Sequence, residues 1–252
     1  MLAVAAGGAL PSAAQAGNAH PSFNAGRHLF ALSAPARWSG AQARAAQTRH
    51  IPDPAFAGYI THETGVTTVT ARYRLPNPKC TKAESAIGPG AFLLAGPRDL
   101  VLFNAANIIF GCYHGQASAQ EALVVNGTES DYARAVGPGD LISVKLTDDP
   151  AGHIVVQLSN LTRGYTLRKS GRPAPADSEA VGDWGSVDAR TQAQLPPPAF
   201  GLTTFRGISI DGRPLGSTSP VGYNMVSSRH VLQIVTHPIG GPRHATFTCT
   251  RT

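Results

Sequence analysis

Residues 140–169 read DLISVKLTDDPAGHIVVQLSNLTRGYTLRK. Asp140–Leu146 and Ile154–Asn160 are apolar-rich runs with many β-branched residues. They flank the turn-forming Asp148-Asp149-Pro150-Ala151-Gly152, which predicts a β-hairpin. Leu161–Gly164 separates Ile154–Asn160 from Tyr165–Lys169 and predicts a second hairpin, so the stretch is a three-stranded antiparallel meander. The same grammar extends outward. Val66–Leu75 (VTTVTARYRL) is dense in Val and Thr and stopped by Pro76. Further strands are expected at Ala91–Leu94, Leu100–Phe103, Asn107–Cys112, Glu121–Val125, Ser178–Val181, Leu202–Phe205, Ile208–Ile210, Asn224–Val226, Val231–Thr236 and Ala245–Cys249. Gly88-Pro89-Gly90, Gly137-Pro138-Gly139-Asp140 and Pro196-Pro197-Pro198 read as punctuation between them. No segment carries sustained helical periodicity, and no internal repeat is present. Many short strands with turn signals indicate an all-β antiparallel sandwich or barrel.

Composition narrows the class. Of 252 residues, 42% are hydrophobic and 14% charged, too apolar for a disordered chain. Net charge is +6, carried almost entirely by arginines scattered along the chain, a solvated basic surface rather than a nucleic-acid face. Leu2–Leu10 followed by Ala14-Gln15-Ala16 resembles a secretory signal peptide, residues 1–16, although a basic leader segment is missing. Residues 17–54 hold Arg27, Arg37, Arg44 and Arg49 and no acid before Asp53. They read as a basic linker or removable pro-segment, and residues 55–252 as the β domain. On this reading the protein is secreted and extracellular, with no membrane segment in the mature form, no nucleic-acid partner, and a monomeric state.

An exported chain can oxidise its cysteines. Three are present, Cys80, Cys112 and Cys249. Cys80 and Cys112 both end apolar strand-like runs and are the expected pair, leaving Cys249 over. No CxxC or HxxxH spacing supports zinc, and no metal or cofactor is expected. A nucleophile elbow, a P-loop, a dinucleotide fingerprint and an HExxH helix are all lacking.

Several segments, taken in order, resemble the glutamic peptidases (the G1 or eqolisin family) in a divergent bacterial-type form. Ala57-Gly58-Tyr59-Ile60 is similar to the family's W-A-G-Y-V opening, with Phe56 for the tryptophan. Val66–Cys80 resembles its first long strand and cysteine, and Cys112 its second cysteine. Val136–Ile142 resembles its P-G-D turn, Leu158–Gly164 its Leu-x-Asn/Asp-x-Thr-x-Gly hairpin, and Leu195–Leu215 its P-L-A-x-F-G strand and successor. The resemblance spans about residues 55–250. It implies a concanavalin A-like lectin/glucanase-type β-sandwich of two large curved seven-stranded sheets, and secreted acid endopeptidases as relatives.

The family's chemistry uses one Glu and one Gln on the concave sheet. The carboxylate activates a water that attacks the scissile carbonyl, and the Gln amide steadies the oxyanion. Glu179, within Asp177-Ser178-Glu179-Ala180-Val181, matches the S-A-E-W-I glutamate, with Ala180 for the tryptophan. The glutamine position falls among Phe103, Asn104 and Ala105, where no glutamine occurs. Asn104 is the available amide, one methylene shorter, and a misplacement near 1 Å costs around 10²-fold. Phe56, Tyr59 and Phe103 are the candidate substrate-binding aromatics. The family's aromatic cleft segment aligns with Gln120–Val125, where the rings are absent. Two readings follow: a glutamic endopeptidase with weak or lost activity acting on peptide or protein, or a non-catalytic sandwich binding peptide or carbohydrate on its concave face.

Overall fold

Val69, Ala71 and Tyr73 are buried while Thr68, Thr70, Arg72 and Arg74 alternate toward solvent, the pattern of a strand with one face on a core. The computed structural model describes residues 50–252 apart from 64, 82, 84, 95–102, 133, 150, 173–177 and 186–194. The expected signal peptide and nearly all of the basic segment lie outside the described residues. Sixteen strands are formed: β1 (Ile51–Asp53), β2 (Phe56–Thr61), β3 (Thr68–Arg74), β4 (Ser85–Leu94), β5 (Phe103–Tyr113), β6 (Gln116–Val125), β7 (Thr128–Tyr132), β8 (Leu141–Asp148), β9 (Ile154–Asn160), β10 (Tyr165–Gly171), β11 (Ser178–Gly185), β12 (Leu202–Ile210), β13 (Arg213–Pro214), β14 (Val221–Val226), β15 (Leu232–Thr236) and β16 (Phe247–Arg251). Among the described residues the only helical pieces are two 3₁₀ turns, Leu215–Ser217 and Pro242–His244.

Hydrogen bonding links the strands in the order β10-β9-β8-β3-β12-β16-β15-β14-β2-β11-β4-β5-β6-β7. The path has seven strands on either side of the β14–β15 junction, and β3, β8, β9 and β10 pack over β4, β5 and β6. The result is an antiparallel β-sandwich. Between the layers lies one apolar core, to which both contribute. Its aromatic centre stacks Phe205 on Phe247 (centroids 4.9 Å), with Tyr73 and Tyr59 packed against them. The meander forms as expected, β8 with β9 and β9 with β10. Asp140 anchors its base. It accepts from Gly137 N–H (3.0 Å), Asn160 Nδ2 (2.9 Å) and Arg163 Nε (2.6 Å). Burial opposes its ionisation, but these donors hold its carboxyl below the ordinary value.

Three boundaries differ from expectation. Gly88-Pro89-Gly90 is no turn but the middle of β4. Its ladder to β5 runs from Ile87↔Phe110 to Gly90↔Asn107 without pairing residues 88 and 89, so the proline, with no N–H to give, sits at an interruption of that ladder. Leu202–Phe205 and Ile208–Ile210 join as one strand through a register shift between Arg206 and Ser209, with Gly207 at φ +58, a glycine bulge. Asn107–Cys112 extends back through Ala105 and Ala106 to Phe103 as one strand. Cys80 and Cys112 form the expected disulfide, Cα–Cα 5.3 Å across a 32-residue separation, and Cys249 is free and buried. Closing a loop of that size contributes roughly 3–4 kcal/mol on the chain-entropy model.

Candidate functional site

The β11 strand places Glu179 opposite Thr61 of β2 on one side and Leu93 of β4 on the other, and Leu93 faces Asn104 of β5. Directly paired residues project to the same side of a sheet. Leu93 belongs to the core between the layers, so Glu179 and Asn104 are on the inner side of this sheet. They share a row with Leu93 between them, roughly 10 Å apart at the backbone from two strand spacings. Glu179 is 2% exposed and accepts a 2.6 Å hydrogen bond from Thr61 Oγ1. Burial, with the negative charges of Glu63 and Asp211 adding to it, pushes its carboxyl up to about 7 against the Thr61 and backbone hydrogen bonds. Asn104 is fully buried. Its Oδ1 accepts from Asn126 N–H at 2.9 Å, and its Nδ2 has no partner among the described residues.

The three expected substrate-binding aromatics do not gather on one face. Phe56 and Phe103 belong to a second apolar cluster on the outer side of the β14-β2-β11-β4-β5-β6-β7 layer. Tyr59 projects inward, and its hydroxyl lies 3.3 Å from His50 Nε2 and donates to the His237 carbonyl at 3.1 Å.

The outer face is organised by one cross-strand row: Tyr223, Gly58, Gly182, Gly90, Asn107 and Ala122. Three adjacent glycines form its floor. A Cβ on Gly58 or Gly182 would come within 2.8 or 2.9 Å of the Phe56 ring, so the ring lies directly over bare backbone. Trp184 stands between Phe56 (4.9 Å) and Phe92 (4.7 Å), with Tyr223 packed against Phe56 at 6.0 Å. Two polar groups interrupt this buried apolar cluster. Asn107 is 0% exposed, and neither its Oδ1 nor its Nδ2 has a partner among the described residues, nor has Trp184 Nε1. Leaving a buried polar group unsatisfied costs about 1–3 kcal/mol, so each is a standing demand for a hydrogen-bonding group. The β11 positions on this face are Ser178, Ala180, Gly182 and Trp184, none a carboxylate. The sequence reading missed Asn107 and Trp184. Period-two alternation along β5 carries the signal, since residues 104 and 107 fall on opposite faces.

Among the described residues no cluster of three His, Cys, Asp or Glu side chains could hold a metal. No helix there is long and apolar enough to cross a membrane.

A sandwich of two seven-stranded sheets with a glycine-floored aromatic face defines the class, and comparison with known proteins supplies the family. The model of the Peptidase A4 family matches residues 54–237. The chain belongs to that family, the glutamic peptidases or eqolisins. No curated protein matches it. Among solved structures it is similar to scytalido-glutamic peptidase with a transition state analog inhibitor, at 14% identity and TM-score 0.65, covering 79% of this chain and 99% of that one. It is comparably similar to SCP-B, an eqolisin in complex with the tripeptide Ala-Ile-His, at 14% identity and TM-score 0.63, with the same coverage.

Proposed function

We propose that this chain is a secreted, monomeric, peptide-binding member of the glutamic peptidase family whose hydrolytic activity is weak or lost. The observation that carries the reading is the opposition of two faces on one sheet. The glycine row, the Phe56–Trp184–Phe92 wall and the unpartnered Asn107 and Trp184 groups lie outside, while Glu179 lies inside. The Phe56 ring covers Gly58 and Gly182, and Asn107 covers Gly90, so the face is closed as it stands. An extended peptide would enter it by displacing these side chains and would then lie along the Phe56–Trp184–Phe92 wall. Its carbonyls would accept from Asn107 Nδ2 and Trp184 Nε1, and an amide N–H would donate to Asn107 Oδ1. The aromatic rings would take its apolar side chains. A general base must come within hydrogen-bond reach of the water it activates, and the sheet itself stands between Glu179 and that peptide. Peptide complexes of the family's solved members support peptide as the ligand class, and the Cys80–Cys112 disulfide supports an oxidising compartment.

The raised carboxyl of Glu179 and the uncommitted Nδ2 of Asn104 favour a second reading, residual hydrolysis at the inner row. One experiment separates them. The full chain is incubated with denatured casein from pH 2 to 7 beside Glu179→Gln. In parallel, binding of casein-derived peptides is followed in wild type, Asn107→Leu and Trp184→Phe. The expected result is no Glu179-dependent cleavage, and peptide binding weakened at least tenfold in both outer-face variants. Acid cleavage by wild type that Glu179→Gln abolishes would overturn the reading and make Glu179 the base.

A further inference from the structure

A cavity of about 520 Å³ opens on the other side of β14 from Tyr223, where β2 and β14 meet the segment after β15. Its polar wall is His50, Tyr59, Asn224 and His244, and its apolar wall is Pro220, Pro238 and Ile239. His50, Pro238, Ile239 and His244 all fall outside the residues that match the family model.

Two glycines make room for the histidines, Gly222 for the His50 ring and Gly216 for the Cβ and backbone of His244. A Cβ on Gly222 would lie 2.2 Å from His50 Cδ2, and one on Gly216 would lie 2.5 Å from His244 Cβ. The turn that carries His244 holds two consecutive non-glycine residues in the left-handed region, Arg243 at φ +60 and His244 at φ +50. Such conformations cost energy and cluster at ligand sites.

The hydrogen bonds around His50 decide what the cavity accepts. Asn224 Oδ1 accepts Thr236 N–H at 2.8 Å, which fixes the orientation of the amide, and it lies 3.3 Å from His50 Nδ1. Nδ1 is therefore the donor. Nε2 faces the Tyr59 hydroxyl at 3.3 Å, and that hydroxyl has the His237 carbonyl at 3.1 Å as its own acceptor. In the imidazolium form every proton of this chain has an acceptor: Nδ1–H to Asn224, Nε2–H to Tyr59, and O–H to His237. In the neutral form the one hydroxyl proton is shared between two acceptors. The hydrogen bonds of the wall thus suit a cationic ring, but burial and the neighbouring His237 hold the His50 imidazole below its ordinary value against the Asn224 and Thr236 hydrogen bonds. Among the described residues no Asp or Glu lines the cavity to offset that burial or to serve the ring as counter-ion; a bound anion would. Asn224 Nδ2 makes no hydrogen bond among the described residues and is a donor available to an anion.

We propose that this cavity binds an organic carboxylate, its anionic head at His50, Asn224 and His244 and its apolar body against Pro220, Pro238 and Ile239. The carboxylate could be a free acid or the C-terminus of a peptide, and both present the same head group.

Calorimetric titration of the full chain at pH 5 with N-acetylleucine and with N-acetylleucinamide tests this directly. The acid should bind at least tenfold more tightly than the amide, and saturation should raise the His50 titration midpoint followed by NMR. Asn224→Asp keeps the oxygen that accepts Thr236 N–H and supplies the missing counter-ion internally, so acid binding should fall at least tenfold. Gly222→Ala, which displaces the His50 ring, is the independent variant if Asn224→Asp does not fold. A tripeptide ending in leucine distinguishes the source. Binding at least as tight as N-acetylleucine identifies peptide C-termini, and weaker binding identifies the free acid. Equal binding of acid and amide, no binding of either at 20-fold molar excess in the millimolar range, or acid binding unchanged in both variants would each overturn the proposal.

Discussion

Asp183 makes the stability of this sandwich a function of pH, and the effect can be worked from its surroundings. It is fully buried on the inner side of β11, with the Thr203 hydroxyl and the Cys249 thiol as its polar neighbours and neither carboxyl oxygen hydrogen-bonded. Burial pushes its carboxyl from the ordinary 3.8 up to about 8, with Thr203 and Cys249 opposing. The folded chain therefore keeps a proton that the unfolded chain releases near pH 4. Between those two values the folded state binds more protons, so stability is fully present below about pH 4 and is lost as pH rises to about 8. A tenfold difference in proton affinity between the two states is worth about 1.4 kcal/mol. The whole window is thus worth on the order of 5 kcal/mol, comparable with the total stability of a domain, about 5–15 kcal/mol. Glu179, pushed up to about 7, and Asp53, pushed up to about 6 by burial, act in the same direction. Urea unfolding followed by fluorescence at pH 4, 6 and 8 should show wild type losing several kcal/mol. Asp183→Asn, which keeps the shape and removes the proton, should match wild type within about 1 kcal/mol at pH 4 and exceed it by several at pH 8. Parallel curves for the two proteins, or a wild type that gains stability toward pH 8, would refute the linkage.

Three further outcomes are expected. Gly182→Ala should destabilise the fold by more than about 2 kcal/mol, because its Cβ would stand 2.2 Å from the Ala57 carbonyl and 2.9 Å from the Phe56 ring; thermal unfolding with near-ultraviolet dichroism reads both the loss and the disturbed ring cluster. Cys80→Ser with Cys112→Ser should lower stability by roughly 3–4 kcal/mol, measured from the change in urea midpoint. Cys249 makes a 3.6 Å contact to the Ala57 carbonyl, and burial beside Asp183 pushes its thiol up; a thiol reagent at pH 8 should label it only at the rate of global unfolding, and more slowly in Asp183→Asn.

The layers were legible where one face of a strand meets water. β3 and the β8–β10 meander alternate, because polar residues on the outside keep the period visible. β4, β5 and β11 are buried along most or all of their length. With an apolar cluster on each side, alternation disappears, and Gly88-Pro89-Gly90 and Ala105-Ala106 look like interruptions. The same loss of period hid the site. A motif match fixes a residue's position along a strand, but whether Glu179 faces the core between the layers or the outer cluster depends on its partners across β2 and β4. A shift of one residue exchanges the two faces. The row Thr61–Glu179–Leu93–Asn104 puts the matched pair inside, and the row Gly58–Gly182–Gly90–Asn107 puts an unmatched amide outside. Which face a polar side chain reaches on this scaffold is therefore set by parity as much as by residue type. Asn107 reaches the outer face by its own position on β5. For Glu179 to reach it, β11 would have to slip by one residue against both neighbours, which would drive Trp184 into the core between the layers.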